Sequence, residues 1–169
     1  MQLGLLHYQD TSLNNKEDYL MKLRAPMPEL TGATEWLNGQ VTKEELLGEK
    51  PTLIHFWSVS CGLCKEAMPN VNDFRDRHSE QLNVIAVHMP RSEKDLDIEQ
   101  VKAVAEEHGI SQPIFVDNKH TLTDAFENEY VPAYYVFDKE GNLRHFQAGG
   151  GGMKMLEKRV NRVLGESEK

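Results

Sequence analysis

The sequence Thr52-Leu53-Ile54-His55-Phe56-Trp57 is separated by three residues from Cys61-Gly62-Leu63-Cys64, and these two segments give the strongest indication of the fold. The first segment comes after Pro51 and is mostly apolar, which predicts a central strand covered on both faces. The apolar spacing over residues 61–78 predicts an amphipathic helix. Residues 83–89 are rich in valine and isoleucine and predict a second strand. Strand, helix and strand of these lengths form a βαβ unit, so the two strands should be parallel.

The rest of the chain adds helices and an antiparallel pair. We predict a helix over 98–105, a strand over 114–116, a short helix over 122–126, a hairpin of 133–137 and 143–147, and an amphipathic C-terminal helix over 156–164. The α/β units come first and the antiparallel pair follows. The sequence therefore predicts an α/β fold with a mixed central sheet flanked by helices.

The charge balance bears on partners and location. The 19 Lys and Arg residues against 27 Asp and Glu give a net charge of −8, whereas nucleic-acid binding needs clustered cations. No apolar run approaches the roughly 20 residues of a membrane helix. The N-terminus also lacks the basic and apolar regions of a secretory signal. We expect a cytoplasmic protein with no nucleic-acid or membrane partner.

The first 20 residues differ from the rest of the chain. They are mostly polar and lack periodicity, whereas turns and apolar runs alternate from Met21 onward. We predict a flexible N-terminal extension over 1–20 and one domain over 21–169. A natural start at Met21 is an alternative that the sequence leaves open.

The two cysteines form a C-x-x-C pair at the start of the predicted helix. Unpaired amide groups and the positive end of the helix dipole favour the thiolate of a cysteine at that position. The thiolate is the nucleophile of disulfide exchange, and a partner three residues on can close a disulfide. We predict a redox-active disulfide in which Cys61 attacks and Cys64 resolves, with neither a cofactor nor a metal.

Three other interpretations of the pair stay open. The cysteines could be buried structural residues, or could bind copper or zinc together with a histidine such as His55. A structural zinc needs four ligands. The sequence has no second cysteine pair, and no two histidines have the H-x3-5-H spacing of a zinc finger. A thiol peroxidase is the third alternative. It would need an arginine and threonine cradle, which residues 58–60 do not supply.

Residues 56–65, FWSVSCGLCK, resemble the F-W-x-x-W-C-x-x-C-K stretch of thioredoxins and of TlpA/ResA-type thiol-disulfide oxidoreductases. Pro69 matches the proline that kinks the family's active-site helix, and Val131-Pro132 falls where the family has a cis-proline. The similarity spans residues 25–165 and is greatest to small cytosolic Bacillus-type members.

The resemblance implies a thioredoxin-like fold with an N-terminal hairpin region in residues 25–51. It also implies a monomeric enzyme that reduces protein disulfides in the cytosol. An unidentified dithiol donor would then reduce the enzyme again. The substrate groove would include Trp57, Val131 and Pro132, with the backbone before the proline pairing with the substrate chain.

The sequence departs from the family pattern at four positions. Ser60 replaces the tryptophan before the first cysteine, Leu63 replaces proline, Ala67 replaces a glutamate, and His55 stands where thioredoxins bury an aspartate. Burial should keep the His55 ring neutral, and the resemblance to thioredoxins puts this position behind the resolving sulfur. We therefore predict that His55 accepts the proton of Cys64. A core histidine bound to backbone or water is the alternative.

Overall fold

A computed structural model describes residues 21–167, and its centre is one six-stranded sheet. The strands are β1 (Glu35–Leu37), β2 (Thr52–Trp57), β3 (Asn83–His88), β4 (Ile114–Val116), β5 (Ala133–Phe137) and β6 (Leu143–Ala148). Their order is β1-β4-β3-β2-β5-β6. Strands β2, β3 and β4 are parallel, and the other neighbouring pairs are antiparallel. The predicted α/β fold with a mixed sheet is confirmed.

Helices cover both faces of this sheet. They are α1 (Lys43–Leu46), α2 (Gly62–Arg77), α3 (Ile98–Glu107), α4 (Thr121–Ala125) and α5 (Met153–Ser167), with a 3-10 turn at Glu93–Leu96. Leu53 and Trp57 of β2 pack in one cluster with residues of α2, α3 and α5. Ile54 and Phe56 point the other way and pack with residues of α1 and α4. Burial on both faces is what the apolar run of β2 predicts.

The βαβ unit places the cysteine motif at one edge of the sheet. Strand β2 pairs in parallel with β3, as predicted, so their carboxyl ends lie at the same edge. Strand β5 runs antiparallel to β2 with Ala133 opposite Phe56. The residues just before Ala133 therefore lie beside the loop that follows β2, which carries Cys61 and Cys64.

The N-terminal hairpin expected in residues 25–51 takes another form, and this detail of the prediction is corrected. Within 21–51 the structure has one strand, β1, which pairs antiparallel with β4. The backbone around Pro26 instead bonds to the turn between β5 and β6, with the Met27 amide 2.7 Å from the Gly141 carbonyl. The physical reason is that the edge of β4 and the turn between β5 and β6 both offer unpaired backbone groups. Different parts of residues 21–51 bond to each of them.

Two further expectations concern the ends of the chain and membranes. The predicted extension, residues 1–20, lies outside the described residues. Among the helices of residues 21–167, none is both long enough and apolar enough to cross a membrane.

Candidate active site

Cys61 occupies the N-cap of α2, and its conformation is extended, with φ −95° and ψ 102°. Its Sγ accepts a hydrogen bond from the Cys64 amide at 3.1 Å. The two cysteines are joined by a disulfide, their Cα atoms are 5.2 Å apart, and both side chains are buried. The predicted position of Cys61 at the helix start is confirmed.

The first turn of α2 favours negative charge on sulfur. It contains no acidic side chain, and the helix dipole presents its positive end to Cys61. The hydrogen bond to Sγ comes from the amide of Cys64, the third residue of the helix. Leu63 contributes an apolar side chain that is 52% exposed. On reduction, the same amide can stabilise a Cys61 thiolate.

The loop before Cys61 is fixed by polar contacts with the end of β3. The Val59 amide donates to Nε2 of His88 at 3.2 Å, and the Ser58 hydroxyl donates to the Met89 carbonyl. His88 is buried, which lowers its pKa to about 4, while the charge of Asp95 acts in the opposite direction. Its ring is therefore neutral at pH 7, as the hydrogen bond to Nε2 requires.

Ser60 is held by two residues that sequence reasoning missed. Its hydroxyl donates to the buried Asp95 carboxylate at 2.7 Å, and Nη2 of Arg91 donates to its carbonyl at 2.8 Å. Arg91 and Asp95 follow Ser60 by 31 and 35 residues in the sequence. Neither belongs to a motif, so no local pattern could have assigned them to the site.

Trp57 does not line the predicted groove. Its side chain is 1% exposed and packs edge to face against His88, with ring centroids 4.9 Å apart. Strand alternation places it on the face covered by α2, together with Leu53. A groove residue has to be accessible, so this part of the prediction is corrected.

Val131 and Pro132, the other two residues of the predicted groove, lie next to the cysteine motif. The bond between them is cis, and half-buried Val131 packs against the cluster that includes both cysteines. The Pro132 carbonyl accepts from the Gly149 amide at 2.9 Å. Within the described part of the chain, no hydrogen bond engages the peptide N–H or carbonyl of Val131. Both groups are available to a bound chain.

His55 on β2 is buried and forms a hydrogen bond with Gln112, with the two Nε2 atoms 2.8 Å apart. Nη1 of Arg75 donates to Oε1 of Gln112 at 2.8 Å. Because a guanidinium only donates, the amide nitrogen of Gln112 faces His55. Nε2 of His55 therefore accepts, and we assign the ring proton to Nδ1.

Burial, followed by the charge of Arg75, lowers the pKa of His55 to about 3, so the ring is neutral at pH 7. The pKa of this ring is low, and its Nε2 already accepts a hydrogen bond from Gln112. Transfer of a proton from a thiol to the ring therefore costs a large amount of free energy. The proton-acceptor role of His55 stays a prediction.

We expect the folded state to lose stability in mild acid. The unfolded chain protonates its histidines near 6.5, whereas His55 and His88 stay neutral down to about 3 and 4. Below pH 6.5 the unfolded state therefore binds more protons. The free energy of unfolding should fall with decreasing pH, by up to about 1.4 kcal/mol per pH unit for each histidine.

Urea unfolding between pH 4 and 7 measures this dependence. Carboxylates also titrate toward the lower end of that range, so the comparison is made with His55→Asn. This variant should show a shallower slope than the parent between pH 6.5 and 4. Equal slopes in the two proteins would contradict the low pKa of His55.

The metal and peroxidase alternatives gain little from the geometry. Residues 21–167 contain no group of three or more His, Cys, Asp or Glu side chains placed to hold a metal ion. A peroxidase cradle calls for arginine and threonine. Arg91 lies beside Ser60, but the residues around it at the motif are serine and valine.

Comparison with known proteins agrees with this site. Residues 23–146 match the sequence model of the AhpC/TSA family. The chain is 76% identical over 148 residues to the thiol-disulfide oxidoreductase YkuV of Bacillus subtilis (strain 168), covering 88% of this chain and 100% of YkuV. It is 32% identical over 171 residues to protein DipZ of Mycobacterium tuberculosis (strain CDC 1551 / Oshkosh), covering 98% of this chain and only 25% of DipZ.

Solved structures show the same fold. The solution structure of a thioredoxin-like protein in the oxidized form has 77% sequence identity and a TM-score of 0.81, covering 86% of this chain and 99% of that protein. The thioredoxin-like architecture implied by the motif is thereby confirmed. Taken with the match over residues 23–146 and the identity to YkuV, it shows that the chain belongs to the AhpC/TSA family, as a thioredoxin-like thiol-disulfide oxidoreductase.

Proposed function

We propose that this oxidoreductase reduces disulfides of protein substrates in the cytosol, with Cys61 as the nucleophile and Cys64 as the resolving thiol. The observation that carries the assignment is the N-cap position of Cys61, whose Sγ receives the Cys64 amide. Only one of the two sulfurs has this position, so the two cysteines have different roles. The N-cap position favours the thiolate of Cys61 over that of Cys64.

In the first step, the Cys61 thiolate attacks one sulfur of a substrate disulfide. A Cys61–substrate disulfide forms, the substrate S–S bond breaks, and the other substrate sulfur leaves as a thiolate that takes a proton from water. The helix dipole and the Cys64 amide supply the negative sulfur at neutral pH.

In the second step, Cys64 attacks Sγ of Cys61, and the proton that Cys64 gives up ends on the substrate sulfur that leaves. The Cys61–Cys64 disulfide forms, the bond to the substrate breaks, and the second substrate sulfur leaves as a thiolate. Two electrons have then passed from the enzyme to the substrate. With the Cα atoms 5.2 Å apart across the disulfide, the ring closes within the first turn of the helix.

The substrate chain binds along Val131. Its unpaired N–H and carbonyl can pair with an extended segment that carries the substrate disulfide. Leu63 and Tyr130, 52% and 49% exposed, supply apolar contact area near this segment. Gly150 lies against Leu63, where a Cβ would come within 3.3 Å of Cδ2. Trp57, being buried, takes no part in the groove.

The enzyme is oxidised after each turnover and needs a dithiol donor to restore Cys61 and Cys64. It acts as a monomer, without nucleic-acid or membrane partners. The net charge of −8 supports the absence of nucleic-acid binding.

Single-turnover reduction of a protein disulfide tests the activity. Reduced enzyme should release two substrate thiols for each enzyme disulfide formed, whereas the Cys61→Ser, Cys64→Ser double variant should release none. A second measurement tests direction: acid-quenched alkylation of the enzyme in growing cells should trap both cysteines as thiols. A trapped Cys61–Cys64 disulfide at steady state would show oxidation of substrates instead.

The role of His55 is tested by His55→Asn, which keeps a polar side chain and removes the base. If His55 accepts the Cys64 proton, the variant should resolve the mixed disulfide more slowly, by about ten-fold or more, and leave the Cys61 attack rate unchanged. Stopped-flow measurement of the two steps separates them. Equal rates in variant and parent would leave His55 the structural role of binding Gln112.

A further inference from the structure

The guanidinium of Arg91 donates hydrogen bonds to Ser60, the residue before the nucleophile Cys61. Nε of Arg91 lies 3.2 Å and Nη2 lies 3.1 Å from the Ser60 hydroxyl, and Nη2 also lies 2.8 Å from the Ser60 carbonyl. The hydroxyl in turn donates to Asp95 at 2.7 Å, and the same carboxylate oxygen accepts the Arg91 amide at 2.9 Å. Ser60 is thus bonded through both its side chain and its backbone.

The positive charge of Arg91 is not paired with a carboxylate. In residues 21–167 the guanidinium makes no ion pair within 4.0 Å, because Asp95 accepts from the backbone amide of Arg91 and not from its side chain. Its hydrogen bonds go to the neutral Ser60. The guanidinium therefore lies one residue from Cys61, with the Asp95 carboxylate bonded to the same Ser60 hydroxyl.

Other charged or titratable groups lie on the segments that adjoin the cysteine motif. They are Lys65 and Glu66 on α2, His88 on β3, Asp95 on the 3-10 turn, and Glu127 and Glu129 in the segment before Val131. His88 is neutral at pH 7, whereas the Asp95 carboxylate, whose charge acts on His88, accepts from the Ser60 hydroxyl and the Arg91 amide. Arg91 is the cation whose side chain bonds directly to the residue before Cys61.

We propose that Arg91 is a positioning residue for Cys61: it fixes the Ser60 peptide, and its charge stabilises the Cys61 thiolate of the reduced enzyme. A cation near a thiol lowers the thiol pKa and increases the thiolate fraction at neutral pH. The small Ser60 side chain makes this contact possible, since its hydroxyl is the atom that Arg91 and Asp95 share. This inference rests on the proposed role of Cys61 as the nucleophile.

The experiment measures thiolate formation directly. Reduced protein is alkylated with iodoacetamide from pH 5 to 10, and mass spectrometry identifies the modified cysteine. Arg91→Gln should lower the Cys61 alkylation rate about three- to ten-fold on the acidic side of the profile and leave the high-pH plateau unchanged. Arg91→Lys, which keeps the charge, should lie between the two.

Lys94→Gln is the matched control, since it removes one exposed positive charge from the neighbouring 3-10 turn. Its profile should follow that of the parent. The parent itself gives a test without substitution: raising the ionic strength from about 0.01 to 1 M shortens the Debye length from about 30 to 3 Å, so the Cys61 pKa should rise. This rise should be smaller in Arg91→Gln.

A parent-like profile in Arg91→Gln, with or without a lower melting temperature, would overturn the positioning role. If Arg91→Gln does not fold, a salt-independent Cys61 pKa in the parent would overturn it instead. The proposed function fails in a different way, when fragmentation of the motif peptide shows that Cys64, and not Cys61, is alkylated first at low pH. The two failures are therefore distinguishable in one data set.

Discussion

Replacing Cys61 by serine is expected to abolish disulfide exchange, with a fall in rate of at least about a thousand-fold. A serine hydroxyl stays protonated at neutral pH, so the helix dipole and the Cys64 amide have no thiolate to stabilise. Cys64 keeps its sulfur, but it is the third residue of the helix and lacks the N-cap position that favours a thiolate. It therefore does not replace Cys61 as the nucleophile.

Cys64→Ser should behave differently, because the first step needs only Cys61. This variant should form the mixed disulfide at the parent rate and then stop, since no thiol is left to resolve it. Thiol release followed in single turnover, together with non-reducing electrophoresis, separates the two variants. Parent-like turnover in Cys61→Ser would contradict the assignment of roles.

Phe126→Ala is expected to lower the free energy of unfolding by about 3–5 kcal/mol. Phe126 is fully buried and packs edge to face against three rings. The ring-centroid distances are 5.2 Å to Phe56, 4.9 Å to Tyr135 and 6.0 Å to Phe137. Removing the ring leaves a cavity beside rigid β-strands, which limit its collapse.

Thermal and urea unfolding measure this loss, and the melting temperature should fall by about 10 °C or more. Met155→Ala on α5 is the matched control because its side chain is 51% exposed, and it should change stability by about 0.5 kcal/mol or less. A Phe126→Ala variant as stable as this control would show that the aromatic cluster does not stabilise the fold as described.

Much of the fold could be predicted because its signals are local. The apolar run of β2, the helical spacing after Cys61 and the turn at 138–141 each follow from neighbouring residues. The N-cap position of Cys61 follows from the same local pattern. The location of Val131-Pro132 came from resemblance, since nothing in those two residues alone indicates a groove.

The features that could not be predicted depend on contacts between distant residues. Gln112 lies 57 positions from His55, and Arg91 lies 31 positions from Ser60, so their hydrogen bonds leave no periodic or spacing signal. Strand β1, which pairs with the distant β4, was also not predicted. Trp57 is a different case, because the apolar run of β2 already predicts burial on both faces, and resemblance to the motif was given more weight.

The mixed disulfide formed by reduced Cys64→Ser with a disulfide-containing protein tests whether Cys61 is the nucleophile. Peptide mapping of the isolated complex under non-reducing conditions should locate the intermolecular bond on Cys61, at about one substrate per enzyme. Recovery of free enzyme and unchanged substrate disulfide, with no covalent complex, would contradict the account.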